Sequence, residues 1–154
     1  PIVNPSQPKC QLLGVANLDQ MRLYNNVYRK IGIDYAIENS IEGYDEISLT
    51  GNFKITTNDY ERIFSPADIG MQQTQASELM GGETKEDAMR IFDSVLANTA
   101  TESQKNVVIT NAAFAIQVME RGKKSIDECI AIARESLESG RAEETLKKFI
   151  EINS

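Results

Sequence analysis

The sequence contains no histidine. That absence removes Ser-His-Asp and Cys-His triads, histidine zinc sites and imidazole acid–base catalysis. Any chemistry falls to carboxylates, amides, hydroxyls and amines, or to a partner domain. Cysteine is nearly as scarce: Cys10 and Cys129 lie far apart, and neither has another cysteine nearby at metal-ligand spacing. Two such thiols read as free residues of a reducing, cytoplasmic compartment and not as a disulfide framework. No run approaches the ~18 consecutive apolar residues of a membrane span, and no signal pattern precedes the first strand, so no membrane partner is expected. Positive charge is also short: 16 Lys and Arg against 23 Asp and Glu leave a formal net charge of −7. A nucleic-acid surface dominated by positive charge is therefore not expected. Glycine-rich phosphate loops of the G-x-G-x-x-G or Walker type are missing as well.

What is present is enough for one domain with a core. The chain has 154 residues, 41% of them hydrophobic and 25% charged, as in ordinary globular proteins. It begins with Pro1 in place of Met, and three prolines fall within residues 1–8. Such a start suggests a chain cut from something longer. Residues 11–15 (QLLGV) form a short apolar run that reads as a buried strand. Asn17 and Gln20 are spaced to cap a helix whose apolar positions Met21, Tyr24, Val27, Tyr28 and Ile31 recur at helical intervals, with Gly32 as its stop. A second apolar run at residues 35–37 completes a β-α-β order, which predicts two parallel neighbours with ligands near their carboxyl ends.

The middle of the chain changes character. Residues 47–50 and 53–57 flank Gly51-Asn52, a spacing that predicts a tight hairpin, and residues 62–64 add a third short strand. Ser65-Pro66-Ala67-Asp68 opens a short helix, and Gly81-Gly82 breaks the chain again. The remainder is helical. Thr84 with Asp87, Thr101 with Gln104, and Ser125 with Glu128 are capping boxes. The first precedes an apolar stripe of Ala88, Ile91, Phe92, Val95 and Leu96; the second opens a segment over 107–119 that is apolar nearly all round and therefore central. Gly140 ends the third helix, and residues 142–152 form a charged final one. The expected fold class is α/β: a mixed, partly parallel sheet with a hairpin, flanked by helices.

The most informative stretch is Gly43-Tyr44-Asp45-Glu46-Ile47-Ser48. Adjacent residues of a regular strand point to opposite faces, so two neighbouring carboxylates normally cannot share one ligand. Gly43 permits a backbone conformation that re-aims them. Aimed into one cleft, they make a hard oxygen site suited to Mg²⁺. The alternative is a solvated acidic turn, and with 23 acidic residues such pairs arise by chance. On spacing alone the turn is the default. Asn111, in the apolar central helix, either fixes a neighbouring loop or is a satisfied core amide. The proline-set segment of residues 1–5 reads as a rigid link into the first strand or as a pocket wall.

Taken in order, these pieces resemble the anthranilate phosphoribosyltransferase family along nearly the whole chain. Pro1-Ile2-Val3-Asn4-Pro5 is similar to that family's Gly-Pro-x-x-Asn-Pro element without its leading glycine. Gly43 to Ser48 is similar to its Gly-x-Asp-Glu-x-Ser metal element. Ser65-Pro66, Gly81-Gly82, residues 106–113 (NVVITNAA) and Glu138-Ser139-Gly140 match further elements in sequence. The resemblance implies the nucleoside phosphorylase/phosphoribosyltransferase-type large domain, with residues 1–154 as its carboxyl-terminal part. It implies that Asp45 and Glu46 bind Mg²⁺ accompanying phosphoribosyl pyrophosphate, and that Pro1 lies beside the anthranilate pocket. It also implies transfer of phosphoribose to anthranilate in tryptophan biosynthesis by a homodimer.

In that family a helical dimerisation domain and a glycine-rich phosphate-binding part precede the matched region. An isolated chain of this kind is then an inactive fragment. Asn39 stands where many members carry histidine, and Glu42 where aspartate is common. Both changes bear on hydrogen bonding around the acidic pair. A transferase-like paralogue, a pyrimidine nucleoside phosphorylase and a non-catalytic structural module remain the alternatives.

Overall fold

In the computed structural model, residues 2–154 are described. Strand β1 (Cys10–Gly14), helix α1 (Leu18–Ile31) and strand β2 (Asp34–Ser40) form the β-α-β unit. The two strands pair in parallel with Leu13 opposite Ile37, as their order predicts. Helix α1 begins where Asn17 Oδ1 accepts from the Gln20 amide at 2.9 Å. Gln20 Oε1 reaches back to the Ala16 amide at 3.2 Å, one residue before the expected partner. Gly32 closes the helix at φ 77°, a left-handed conformation open to glycine.

The sheet continues with β3 (Phe53–Thr57), antiparallel to β2, and β4 (Glu61–Phe64), antiparallel to β3, in the order β1-β2-β3-β4. Here the hairpin expected at Gly51-Asn52 is corrected. Residues 47–50 are irregular and buried, and the hairpin joins β3 to β4 through residues 58–60. Leu49 shows why residues 47–50 are no strand: its φ of 59° turns the chain out of extended geometry. The residue is nonetheless fully buried, and its carbonyl accepts from the Thr74 amide at 2.9 Å. The segment threads the core as a loop held by side chains.

After a 3-10 turn at Pro66–Ile69 and another at Ala76–Leu79 come α2 (Lys85–Leu96), α3 (Glu102–Met119), α4 (Ile126–Glu138) and α5 (Arg141–Ile152). Thr84, Thr101 and Ser125 each accept from the backbone amide three residues on, so all three expected caps are present. Helix α3 is the central one. It packs on α4 and on the face of β1 and β2 that carries Ala36, burying Ile109, Ala113 and Phe114 against Phe53 and Phe64. Helix α1 covers the opposite face, packing Met21 and Tyr28 against Tyr35 and Ile37. The apolar stripe of α2 is formed as expected, yet among its residues only Val95 is buried and Phe92 remains 55% exposed. No helix is long and apolar enough to cross a membrane among the described residues.

Candidate functional site

The period-two alternation of β2 divides its side chains between the two faces. Tyr35, Ile37 and Asn39 turn toward α1, and Ala36, Glu38 and Ser40 toward α3. The run Glu38-Asn39-Ser40 thus ends an otherwise apolar strand with three buried polar residues. Buried polar groups need partners, and most of theirs come from the loop that follows.

That loop carries the acidic pair. A turn closes from the Gly43 amide to the Ser40 carbonyl at 2.9 Å, with Gly43 at φ 102°, so the glycine re-aims the chain as its position suggests. The Ser40 amide donates to the Tyr44 carbonyl at 3.0 Å, and Asn39 Nδ2 donates to the Val15 carbonyl at 2.7 Å, joining β2 to the end of β1. Asn39 therefore has a structural partner in place of an imidazole's. Ser40 Oγ donates to the Glu46 carbonyl at 2.7 Å and accepts from the Ser48 amide at 3.1 Å. From the other side, Asn111 Oδ1 accepts from the Ile47 amide at 3.1 Å while its Nδ2 donates to the Ile47 carbonyl at 2.8 Å. Asn111 thus fixes the neighbouring loop and is at the same time a satisfied amide, its Nδ2 also donating to the Val107 carbonyl, so both readings of it are met.

Asp45 and Glu46 themselves are exposed. Their location follows from Gly14, the last residue of β1: a Cβ there meets the Asp45 carbonyl oxygen at 2.7 Å and Asp45 Cβ at 3.2 Å. The loop lies directly over the carboxyl ends of the parallel strands, where open α/β sheets bind ligands. Glu38 lies beneath, only 3% exposed, with Oε2 lacking any hydrogen-bond partner. Burial, and secondarily the charge of Glu46, push its pKa up to about 8. Near neutrality this carboxyl is thus largely protonated.

Among the described residues, no three His, Cys, Asp or Glu side chains gather as a protein-only metal cage. The donors at Asp45 and Glu46 are two hard carboxylates open to solvent, a set that fits a cation retaining several waters, as Mg²⁺ does. Pro1 lies outside the described residues. The residues that sequence reasoning does not single out are Glu38, Ser40, Thr50 and Gly14; Ser48 is legible as the end of the acidic element. The strand expected to be buried at residues 11–15 is a half-buried edge strand, and the glycine that ends it marks close backbone approach; a polar run at the same level is the other available signal.

Comparison with known proteins agrees with this architecture. The family described as "Glycosyl transferase family, a/b domain" matches residues 1–143. Anthranilate phosphoribosyltransferase from Phocaeicola vulgatus is 57% identical over 154 residues, covering 100% of this chain and 46% of the relative. The protein of that name from Bacteroides thetaiotaomicron is 56% identical over the same span, with 46% of its own length covered. The chain thus spans under half the length of the curated relatives it matches. Among solved structures, anthranilate phosphoribosyltransferase from Saccharomyces cerevisiae in complex with PRPP and Mg superposes with a TM-score of 0.79 at 22% identity, over 95% of this chain and 42% of that one. The Thermus thermophilus enzyme of that name gives 0.79 at 22% identity, over 89% of this chain and 41% of that one. With 143 of its residues matched in one continuous stretch, the chain belongs to the glycosyl transferase family, in its a/b domain.

Proposed function

We propose that this chain is the carboxyl-terminal part of the catalytic domain of an anthranilate phosphoribosyltransferase. In this reading the whole protein transfers phosphoribose from phosphoribosyl pyrophosphate to the anthranilate amine and releases pyrophosphate. The observation that carries it is an adjacent carboxylate pair, Asp45 and Glu46, held in a loop packed on Gly14 at the carboxyl end of a parallel strand. Support also comes from relatives of that name at 57% and 56% identity along the whole chain.

Displacement at an anomeric carbon passes through an oxocarbenium-like state, so no protein nucleophile is required. The demands are orientation of the amine against the sugar and neutralisation of the leaving group. Mg²⁺ held by such a pair supplies charge neutralisation for departing pyrophosphate. This chain's share of the work is to keep Asp45 and Glu46 in a fixed loop, through Asn39, Ser40 and Asn111. A chain without histidine is compatible with that chemistry.

In this reading the portion preceding the matched region carries the remaining phosphate-binding groups and the helical domain of a homodimer. The protein works in the cytoplasm. The test is product formation by the full-length polypeptide from phosphoribosyl pyrophosphate and anthranilate. Mg²⁺-dependent appearance of N-(5-phosphoribosyl)anthranilate is the expected result, with none from residues 1–154 alone. Absence of product from pure, folded full-length protein at saturating substrates and Mg²⁺ contradicts the reading.

A further inference from the structure

Between the acidic loop and the core runs a chain of three buried hydroxyls. Ser40 is 1% exposed, Ser48 6% and Thr50 7%. Ser40 Oγ and Ser48 Oγ are 3.2 Å apart, and Ser48 Oγ and Thr50 Oγ1 are 2.7 Å apart. Thr50 Oγ1 then donates to Glu42 Oε2. The sense of the chain follows from proton counting. Ser40 gives its one proton to the Glu46 carbonyl, and Thr50 gives its own to Glu42. Ser48 has one hydroxyl proton for two acceptors, Thr50 Oγ1 at 2.7 Å and Ser40 Oγ at 3.2 Å; the shorter contact takes it, and Ser48 is tied to Ser40 through its amide, which donates to Ser40 Oγ at 3.1 Å. Glu42, which can only accept when ionised, is the terminus that fixes this order.

The seat of Glu42 is shaped for it. A Cβ at residue 51 falls 2.6 Å from Glu42 Oε1 and 2.9 Å from its Cδ. Gly51 has no left-handed φ, so its lack of a side chain serves space and not backbone conformation. The loop between Glu42 and Thr50 contains both Asp45 and Glu46, so the carboxylate–hydroxyl contact ties its two ends together. Opposite, Gln73 Nε2 donates to the Thr50 carbonyl at 2.5 Å and anchors that residue from outside the loop.

We propose that Glu42, seated in the space left by Gly51, is a positioning residue for the Asp45–Glu46 pair, acting through Thr50, Ser48 and Ser40 on the carbonyl of Glu46. The inference rests on the reading of that pair as a metal site. Glu42 touches neither substrate nor metal in this role. Its effect is to hold two exposed carboxylates at one separation, so that a cation does not have to organise them.

The experiment is Mn²⁺ binding to the full-length protein with inorganic pyrophosphate present, read from the electron paramagnetic resonance signal of free Mn²⁺, alongside the thermal midpoint. Gly51→Ala evicts a flexible, exposed carboxylate while keeping its charge nearby, and is expected to weaken Mn²⁺ binding roughly tenfold, the lower end of what outer-shell disruption costs. Glu42→Ala is expected to do the same, and the double substitution no more than either alone. Glu42→Gln retains an oxygen for the Thr50 proton and should stay within about twofold of the unmodified protein. Should Glu42→Ala not fold, Gly51→Ala and Glu42→Gln decide the matter.

Unaltered binding in Gly51→Ala overturns the inference. So does Glu42→Gln binding as weakly as Glu42→Ala, which would mean that charge and not position matters. In either case, weakened binding in a protein with Asp45→Asn and Glu46→Gln leaves the metal pair standing. Unaltered binding in that double variant removes the pair and this inference together.

Discussion

Asn111 holds both backbone polar groups of Ile47, its Oδ1 accepting at 3.1 Å and its Nδ2 donating at 2.8 Å. Its Nδ2 also donates to the Val107 carbonyl at 2.8 Å, inside α3. One side chain of the central helix therefore fixes the residue immediately after the acidic pair. Asn111→Ala strands the amide and carbonyl of Ile47, whose side chain is fully buried. An unsatisfied buried group costs about 1–3 kcal/mol, so the expected loss of unfolding free energy is about 2–3 kcal/mol. Urea denaturation of the two proteins, with similar m values, checks this. A loss below about 0.5 kcal/mol would mean that water or a shifted loop replaces the amide.

Gly14 is a packing requirement of the same loop. Its missing Cβ leaves room for the Asp45 carbonyl oxygen at 2.7 Å, a backbone atom that cannot swing aside as a side-chain end can. Gly14→Ala must displace residues 44–46 or the end of β1. The expected cost is roughly 1–3 kcal/mol, typical of overpacking, together with, on the proposed function, a raised Mg²⁺ requirement in the full-length protein. Thermal unfolding and a Mg²⁺ titration of initial rate measure the two effects. Unchanged values in both would show that the approach of Asp45 to Gly14 is not tight in solution.

Glu38 gives the protein a pH dependence opposite to that of a salt-bridged carboxylate. Its pKa rises from an ordinary 4.5 to about 8, first through burial and second through Glu46. The folded state then binds more protons than the unfolded state between those values, so stability falls as pH rises through that window and levels off above it. Its carboxyl contribution is fully present below about pH 4.5. Glu38→Gln keeps the volume and cannot ionise. It should match the unmodified protein near pH 4.5 and exceed it by roughly 3–5 kcal/mol above pH 8. Asp68 and Asp87, held below the usual carboxylate range by Ser65 and Thr84 respectively, act in the opposite sense at low pH. Both are common to the two proteins, so the difference between their pH–stability curves isolates Glu38. A difference that is flat from pH 4.5 to 8 would contradict its buried, protonated state.

Much of this architecture is readable from residue order because local chemistry determines it. Asn17 and Gly32 bound α1, and the Thr84, Thr101 and Ser125 caps open three of the later helices as their spacing predicts. The parallel register of β1 and β2 follows from the capped helix between them. Gly51-Asn52 misleads because a turn dipeptide between apolar runs reads as a hairpin, whereas the Ser40 and Ser48 hydroxyls accept from the amides of Ser48 and Thr50 in place of a strand partner. Those bonds span up to eight residues and leave no periodic trace. The site is legible in part: Asp45 and Glu46 stand out as neighbours, and Gly43 as the residue that turns them. Glu38 does not stand out, since its burial depends on the sheet register and on α3 packing above it. The stripe of α2 is equally legible, but its pattern says only which face is apolar and not what covers it.

The central claim of the proposed function is that Asp45 and Glu46 serve a metal, and the most direct measurement is a Mg²⁺ titration of initial rate in the full-length protein at fixed phosphoribosyl pyrophosphate. Asp45→Asn with Glu46→Gln preserves shape and removes two negative charges from exposed positions. The expected outcome is a curve displaced to higher Mg²⁺ by at least about tenfold, with a lower plateau and a thermal midpoint within a few degrees of the unmodified protein. Superimposable curves would contradict the claim and return the pair to a solvated acidic turn.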